Sequence, residues 1–349
     1  MERNNLIIVE KDIILSKIVC QYFQTHFSFN NICVFSSFSS LEEIFKNRSI
    51  ILVNAEILED TQELISMSKA ISSDNIPVVI YSSMDEPALN HILDAIELGA
   101  IDVIPLSIFS NLNISSSELN VFNEFINSLI KCNYKLDMNL LRMRLSPNTF
   151  ETVKKFRKKT DSIVVIGCDI GATSSILALI PQIPKSFPAP ICVLINTAER
   201  FLDTIADRLE VNSNLSVKKI EKDTVVEPAT VYLISTNKSP VMESYPSGET
   251  KILVRGSLPF ELSLKHSINK FMFTTLDIFG QKTIGILLGG VQEDGILGLS
   301  EIKRRKGVTI LQSEKSCLTL HRLKKAIKSD CAEDIVYIAD LPEKIINLA

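Results

Sequence analysis

Short apolar runs alternate with stretches of helical periodicity in the first part of the chain, up to Lys131. The runs have the length of strands, and between them apolar residues recur at three- and four-residue spacing. This alternation predicts five strands and five helices that form a doubly wound parallel sheet over residues 1–131. The predicted strands are NLIIVE, ICVFSS, IILVNA, IPVVIYSS and IDVIPLS.

A second alternating pattern begins at Ser162 and runs to the end of the sequence. Strand-length apolar runs separated by helical stretches predict a second α/β domain over residues 162–349, with a mostly parallel sheet covered on both faces. Residues 132–161 are polar and basic, and we interpret them as an interdomain linker. Its KKFRKK run, residues 154–159, favours a solvated face, with contact to an acidic partner as the alternative.

Length and charge narrow the range of functions. A chain of 349 residues favours two domains, because single cores rarely extend beyond about 250–300 residues. The net charge of −4 argues against nucleic acid as a partner, since phosphate contacts need a basic face. The sequence has no run of about 18 apolar residues and no signal-peptide pattern, so we expect a cytoplasmic chain without membrane insertion.

Cysteine and histidine spacing gives no indication of a metal site. The seven cysteines form no CxxC pair, and the four histidines have no ligand spacing to one another. Free thiols in a reducing compartment are the simplest interpretation. We therefore predict neither a metal ion nor a cofactor.

Strand ends in the first domain resemble those of a response-regulator receiver, a flavodoxin-like domain, and the segment IPVVIYSSMDEPALNHILDAIELGAIDVI matches without a gap. The resemblance implies an acidic pair that holds Mg²⁺ after the first strand and a phosphate-accepting Asp after the third. It also implies a Ser or Thr after the fourth strand and a Lys after the fifth. This chain has Glu10 with Lys11, then Asn54, Ser82 and Leu106 at those positions.

Most of these positions have lost the chemistry that the resemblance implies. Lys11 places a cation where Mg²⁺ relies on carboxylate charge. Asn54 has an amide, which does not form an acyl phosphate, and the nearby Glu56 lies two residues further on. Because only Ser82 matches clearly, we predict a pseudo-receiver that is not phosphorylated in the usual way.

Three segments of the second domain carry a further resemblance: GCDIGAT after the first strand, INTAERF after the second, and GGVQEDG after TIGIL. They resemble the catalytic domain of the chemotaxis protein-glutamate methylesterases, the CheB family, whose members consist of receiver, linker and esterase in that order. The resemblance implies a hydrolase that uses a Ser-His-Asp triad to remove methyl groups from glutamates of chemoreceptors. Many members also deamidate receptor glutamines.

Two of the three triad positions are substituted. Asp169 stands at the nucleophile position, where a carboxylate attacking an ester would give an anhydride and repel the developing oxyanion. Asn196 stands at the position of the general base, and its amide has no basic lone pair near neutral pH. Asp294 keeps the third position, although an Asp at a helix start is also an ordinary N-cap, which we favour.

Neighbouring residues offer a weaker catalytic alternative. Cys168 is a competent type of nucleophile, but a buried small hydrophobic residue is the better interpretation. Two segments that border the active site in the family read Lys265-His266-Ser267 and His321-Arg322-Leu323 here. A rewired pair of Cys168 and His266 is conceivable, but nothing in the sequence brings the two together.

These substitutions favour a non-catalytic chemotaxis adaptation protein that binds methyl-accepting chemotaxis receptors, the chemotaxis kinase complex or an active methylesterase. The alternative is an active protein-glutamate methylesterase or glutamine deamidase that uses unusual groups among Asp169, Cys168 and His266. A binder of acidic patches through the linker is the third hypothesis, and it predicts an affinity that falls steeply with salt.

Overall fold

The structure is a computed structural model of the chain. It describes residues 4–41, 49–85, 88–110, 115–131, 140, 143, 162–256, 260–317 and 319–349, without the side chains of 73–74 and 260–265. The chain divides into two compact units, Met1–Leu141 and Arg142–Ala349. The predicted linker, with its KKFRKK run, lies outside the described residues except for 140 and 143, so it stays a prediction.

The first unit contains a five-stranded parallel sheet with the strand order β2-β1-β3-β4-β5. All five predicted strands are present, and the doubly wound parallel fold is confirmed. One of the five helices that the sequence predicts, the segment SLEEIFKN, falls mainly in residues 42–48, outside the described residues. The strands are β1 Asn5–Val9, β2 Asn31–Phe35, β3 Ser49–Asn54, β4 Val78–Ser82 and β5 Val103–Pro105, and the helices are α1 Ile13–His26, α2 Thr61–Asp74, α3 Ala88–Glu97, α4 Ser107–Ser110 and α5 Ser116–Lys131.

Burial on both faces of the sheet explains why its central strands are continuous apolar runs. Every residue of β3 and of β4 is buried. The aromatic side chains of Phe23, Phe109 and Phe122 pack together between α1, α4 and α5, with ring centroids about 6 Å apart. This core fixes the strand ends where the receiver positions lie.

The second unit contains a seven-stranded parallel sheet with the order β15-β14-β13-β6-β7-β10-β8. The mostly parallel sheet predicted from the sequence is therefore confirmed. Its strands are β6 Ile163–Cys168, β7 Ile191–Ile195, β8 Ser216–Lys219, β10 Thr230–Ser235, β13 Thr283–Leu287, β14 Val308–Gln312 and β15 Asp334–Val336, and the helices are α6 Thr173–Leu179, α7 Glu199–Asn212, α8 Phe260–Phe279, α9 Ile296–Arg304, α10 His321–Lys328 and α11 Leu341–Leu348.

A small antiparallel sheet accompanies the large one, and the sequence analysis did not predict it. Its strands are β9 Thr224–Val225, β11 Pro240–Ser244 and β12 Thr250–Val254, in the order β11-β12-β9. These strands are short and follow no clear alternation, which explains why a helix-and-strand rhythm did not reveal them. In the described part of the chain, no helix is long and apolar enough to cross a membrane.

Strand order also determines which segments meet at the carboxyl edge of the large sheet. The strand β6 lies between β13 and β7, so the turns that follow these three strands are neighbours. The turn after β6 carries Asp169, the turn after β7 carries Asn196, and the segment after β13 leads to Asp294. All three predicted triad positions therefore lie at one edge of one sheet.

Candidate functional site

The receiver positions of the first unit meet around one buried carboxylate. Glu10 directly follows β1 and is 5% exposed. One oxygen, Oε2, accepts hydrogen bonds from Asn54 Nδ2 at 2.9 Å and from the Tyr81 hydroxyl at 2.7 Å. The other, Oε1, accepts the backbone N–H of Asp12 at 2.9 Å. The structure thus brings Glu10 and Asn54 together, and Tyr81 joins them.

Asn54 and Tyr81 are held firmly in this arrangement. The Oδ1 atom of Asn54 accepts the backbone N–H of Glu56 at 3.1 Å, so both ends of its amide are bonded. Tyr81 is fully buried in β4, and burial together with the charge of Glu10 raises the pKa of its hydroxyl far above the usual value. Tyr81 therefore stays a neutral donor to Glu10 at any physiological pH.

Within the described part of the chain, the remaining receiver positions make no hydrogen bond to Glu10. Ser82 is buried, and its Oγ accepts the backbone N–H of Met84 at 3.0 Å. Lys11 is exposed, and Leu106 is half-buried with its backbone N–H donating to the Ser82 carbonyl at 2.7 Å.

The groups around Glu10 do not fit a divalent cation. Mg²⁺ needs oxygen acceptors in an octahedral shell, whereas Glu10 is surrounded by hydrogen-bond donors from Asn54, Tyr81 and Asp12. Within the residues that the structure describes, no group of three or more His, Cys, Asp or Glu side chains could hold a metal ion.

Asp169, at the predicted nucleophile position of the second unit, points into the protein rather than towards solvent. It directly follows β6 and is 1% exposed. Its Oδ2 atom accepts the backbone N–H groups of Val291 at 3.1 Å and Gln292 at 3.0 Å. Its Oδ1 atom is buried and has no hydrogen-bond partner among the described residues. The carboxylate therefore acts as an internal acceptor in this fold.

The guanidinium of Arg322 completes the surroundings of Asp169. Arg322 is the second residue of α10 and is 1% exposed. Its Nη2 atom lies 3.7 Å from Asp169 Oδ2. Its Nε donates to the Gln292 carbonyl at 2.8 Å, and its Nη1 donates to the Gly167 carbonyl at 3.4 Å. A buried cation and a buried anion thus neutralise each other where the nucleophile would act.

Gly290 permits the close approach of these groups. A Cβ atom at position 290 would lie 2.7 Å from the Cβ of Asp169 and 3.0 Å from Cζ of Arg322. Any larger residue would therefore separate the ion pair from the loop that carries Val291 and Gln292.

Asp294 accepts backbone N–H bonds, but the prediction that it is the N-cap of the following helix was wrong. The N-cap of α9 is Gly295, with no side-chain cap bond. The carboxylate of Asp294 instead accepts the N–H groups of Ile268 at 2.8 Å, Asn269 at 3.0 Å and Gly295 at 2.9 Å. Ile268 and Asn269 belong to α8, which was not foreseeable because the two segments are distant in sequence.

Asn269 of α8 also forms hydrogen bonds with the start of α9. Its Oδ1 accepts the N–H groups of Gly295 at 3.1 Å and Gly298 at 2.6 Å. Asn269 therefore caps the start of α9, whereas Asp294 links that start to backbone N–H groups in the middle of α8, and both side chains are buried. Burial raises the pKa of the Asp294 carboxyl, while the bonds from Ile268 and Asn269 oppose that shift.

Asn196, at the predicted position of the base, is half-buried after β7. Its Oδ1 accepts a hydrogen bond of 3.5 Å from the hydroxyl of Thr236. Among the described residues, no hydrogen bond joins Asn196 to Asp169 or to Asp294. The three triad positions share one edge of the sheet but do not form a hydrogen-bonded relay.

The rewired thiol and imidazole pair receives no support from the geometry. Cys168 is fully buried in β6, and burial raises the pKa of its thiol well above the usual value. His266 is exposed on α8, and no hydrogen bond joins it to Cys168 in the described structure. The other residues predicted to border the site are Lys265, Ser267 and His321. The side chain of Lys265 is not among those that the structure describes. The Ser267 hydroxyl donates to the Thr236 carbonyl at 2.6 Å, and His321 is the first residue of α10.

Sequence reasoning missed Tyr81, Arg322 and Asn269 as parts of these centres. Tyr81 was passed over because the neighbouring Ser82 matched the receiver pattern. Arg322 was noted only as a departure from the family, although a charged residue near the predicted active site was a usable signal. Asn269 had no signal, because its partners Gly295 and Gly298 are distant in sequence.

The fold and the arrangement of strand ends define an α/β protein with a receiver-type first unit and a methylesterase-type second unit. Residues 164–345 match the CheB methylesterase family. The second unit also resembles a solved structure, the Thermotoga maritima CheB methylesterase catalytic domain, with 28% identity and a TM-score of 0.50. That match covers 54% of this chain and 98% of the other.

Relatives of known name extend the similarity over both units. The "protein-glutamate methylesterase/protein-glutamine glutaminase" of Pyrococcus abyssi is 28% identical over 277 residues, which is 78% of this chain and 73% of the relative. The protein of the same name from Clostridium acetobutylicum is 22% identical over 353 residues, covering 100% of this chain and 98% of the relative. This chain belongs to the CheB methylesterase family.

Proposed function

We propose that this protein is a chemotaxis adaptation protein with lost or strongly reduced catalysis, which acts by binding chemoreceptors or other partners of the signalling complex. One observation carries the proposal. The nucleophile position holds Asp169, whose Oδ2 is engaged by two backbone N–H groups and by Arg322. A carboxylate used in this way is unavailable to a substrate.

The base position supports the same conclusion independently. Asn196 has no basic nitrogen, so it does not take a proton from water or from a hydroxyl group. Asp294, the retained triad position, is engaged by backbone N–H groups of Ile268, Asn269 and Gly295. Each of the three positions therefore contributes to the fold through contacts that need no substrate.

The first unit would then respond to partners instead of phosphorylation. Asn54 has no carboxylate to accept a phosphoryl group, and both ends of its amide are bonded to Glu10 and Glu56. We propose that this unit is a pseudo-receiver in a cytoplasmic protein, and that any control over the second unit comes from binding. Methyl-accepting chemotaxis receptors and the chemotaxis kinase complex are the proposed partners.

Methanol release from methylated receptors tests the loss of catalysis. Receptor-containing membranes are incubated with the full chain and, in parallel, with an active protein-glutamate methylesterase. We expect release at the background rate from this chain, together with its co-sedimentation with the receptor membranes or with added kinase complex. Turnover well above background that disappears in Asp294→Ala would refute the proposal, and so would the absence of binding to both partners.

The alternative is an active methylesterase or glutamine deamidase with unusual groups, which the names of the relatives favour. It needs Asp169, Cys168 or His266 to reach a substrate. A thiol-directed probe distinguishes this alternative: labelling of Cys168 in the folded protein, with loss of hydrolysis in Cys168→Ser, would support it. We expect no labelling before unfolding, because Cys168 is fully buried.

A further inference from the structure

Two backbone N–H groups donate to a single oxygen of Asp169, and the guanidinium of Arg322 lies at ion-pair distance from the same oxygen. The N–H groups of Val291 and Gln292 lie 3.1 and 3.0 Å from Oδ2, and Nη2 of Arg322 lies 3.7 Å from the same atom. Successive backbone N–H groups beside a cation are an arrangement by which proteins hold anionic oxygen.

The donors are positioned by contacts that do not involve Asp169. The backbone N–H of Arg322 donates to the Gly290 carbonyl at 3.0 Å, and its Nε donates to the Gln292 carbonyl at 2.8 Å. The N–H of Gly290 donates to the Thr319 carbonyl at 3.2 Å. The loop and the guanidinium therefore support each other, so the arrangement does not rely on the carboxylate for its shape.

We propose that Val291, Gln292 and Arg322 form a carboxylate-binding cradle, that Asp169 is its built-in occupant, and that it accepts a small free carboxylate once that side chain is removed. The side chain of Asp169 thus fills, from within the chain, the place where an anionic ligand would bind.

Formate is the matching probe, because Asp169→Ala deletes one carboxylate group and formate replaces it. The deletion leaves Arg322 as a buried cation without its partner, so we expect the melting temperature of the full chain's second unit to fall by roughly 10 °C. Sodium formate should restore about half of this loss in a concentration-dependent manner, because a ligand that binds only the folded state stabilises it. Sodium chloride at equal ionic strength should not.

Hydrogen exchange gives a readout at the site itself. The amides of Val291 and Gln292 should be protected in the parent protein, exchange at least tenfold faster in Asp169→Ala, and regain protection with formate. In Asp169→Ala/Arg322→Met, which lacks the cation, formate should give a much smaller recovery. The parent protein should not respond to formate.

Equal effects of formate and chloride in Asp169→Ala would overturn the proposal, as would an undiminished formate effect in the double variant. If Asp169→Ala does not fold alone, its refolding yield is compared in formate and in chloride, and equal yields count against the cradle. A failure here leaves the methanol-release test untouched, because that test uses the parent protein and reports hydrolysis alone.

Discussion

Each unit has a polar centre around a buried carboxylate that is bonded to the protein's own groups, and the two carboxylates differ in the charge of those groups. In the first unit, Glu10 is a buried carboxylate surrounded by neutral donors, among them Asn54 and Tyr81. In the second, Asp169 is a buried carboxylate that faces the buried guanidinium of Arg322. The first centre is held by hydrogen bonds from neutral groups, whereas the second contains an ion pair.

This difference predicts unequal sensitivity to substitution. Removing one neutral donor from Glu10 costs a hydrogen bond and leaves two others in place. Removing Asp169 leaves an uncompensated cation in the interior, which is among the most destabilising changes that a single substitution can make. The following changes test this contrast.

The largest effect is expected for Asp169→Ser. We expect the free energy of unfolding of the second unit to fall by about 3–5 kcal/mol, because Arg322 is left buried and unpaired. In Asp169→Ser/Arg322→Met the loss should be clearly smaller, since both charges are gone. For both variants, the free energy of unfolding is measured by urea denaturation of the full chain, and hydrogen exchange assigns the loss to the second unit. Equal losses in the single and double variants would contradict the ion-pair interpretation.

A smaller effect is expected for the hydrogen bonds that join α8 to the start of α9. Asp294→Ala removes the acceptor of three backbone N–H groups, so we expect a loss of about 3 kcal/mol in the free energy of unfolding. Asn269→Ala, the matched change on the other helix, should cost about 1–2 kcal/mol. The same denaturation measurement applies. A change below about 0.5 kcal/mol for Asp294→Ala would show that its hydrogen bonds contribute little to stability.

The first centre should be disturbed less by Tyr81→Phe. This variant keeps the ring and removes only the O–H donor to Glu10, so we expect a loss of about 2 kcal/mol in the first unit. The second unit serves as the internal control, and its hydrogen exchange should not change. A loss in the first unit larger than that of Asp169→Ser in the second would reverse the comparison.

Lys11→Ala should have almost no effect on stability. Lys11 is exposed at the end of β1, and exposed substitutions of this kind change the free energy of unfolding by less than about 0.5 kcal/mol. Thermal unfolding of the full chain is the measurement. A decrease above about 1 kcal/mol would mean that Lys11 contributes to the Glu10 centre in a way that its exposure does not suggest.

Local pattern was enough to predict the parallel sheets, whereas the candidate site positions depended on the resemblance to known families. The continuous apolar runs of β3 and β4 identify strands buried on both faces, and the residues that follow such strands are the functional candidates. Glu10, Asn54, Asp169 and Asn196 were singled out at such strand ends by resemblance to the receiver and methylesterase families, and their roles stay predictions. The short strands β9, β11 and β12 were missed, because two to five residues carry too little pattern.

What the sequence by itself determined is which chemical groups stand at each strand end. Only the tertiary structure decided which partners those groups contact. Asp169 meets Val291 at a separation of 122 residues, and Tyr81 meets Glu10 at a separation of 71. Such pairings depend on strand order and on side-chain direction at the sheet edge, which are set by packing of the whole unit rather than by local periodicity.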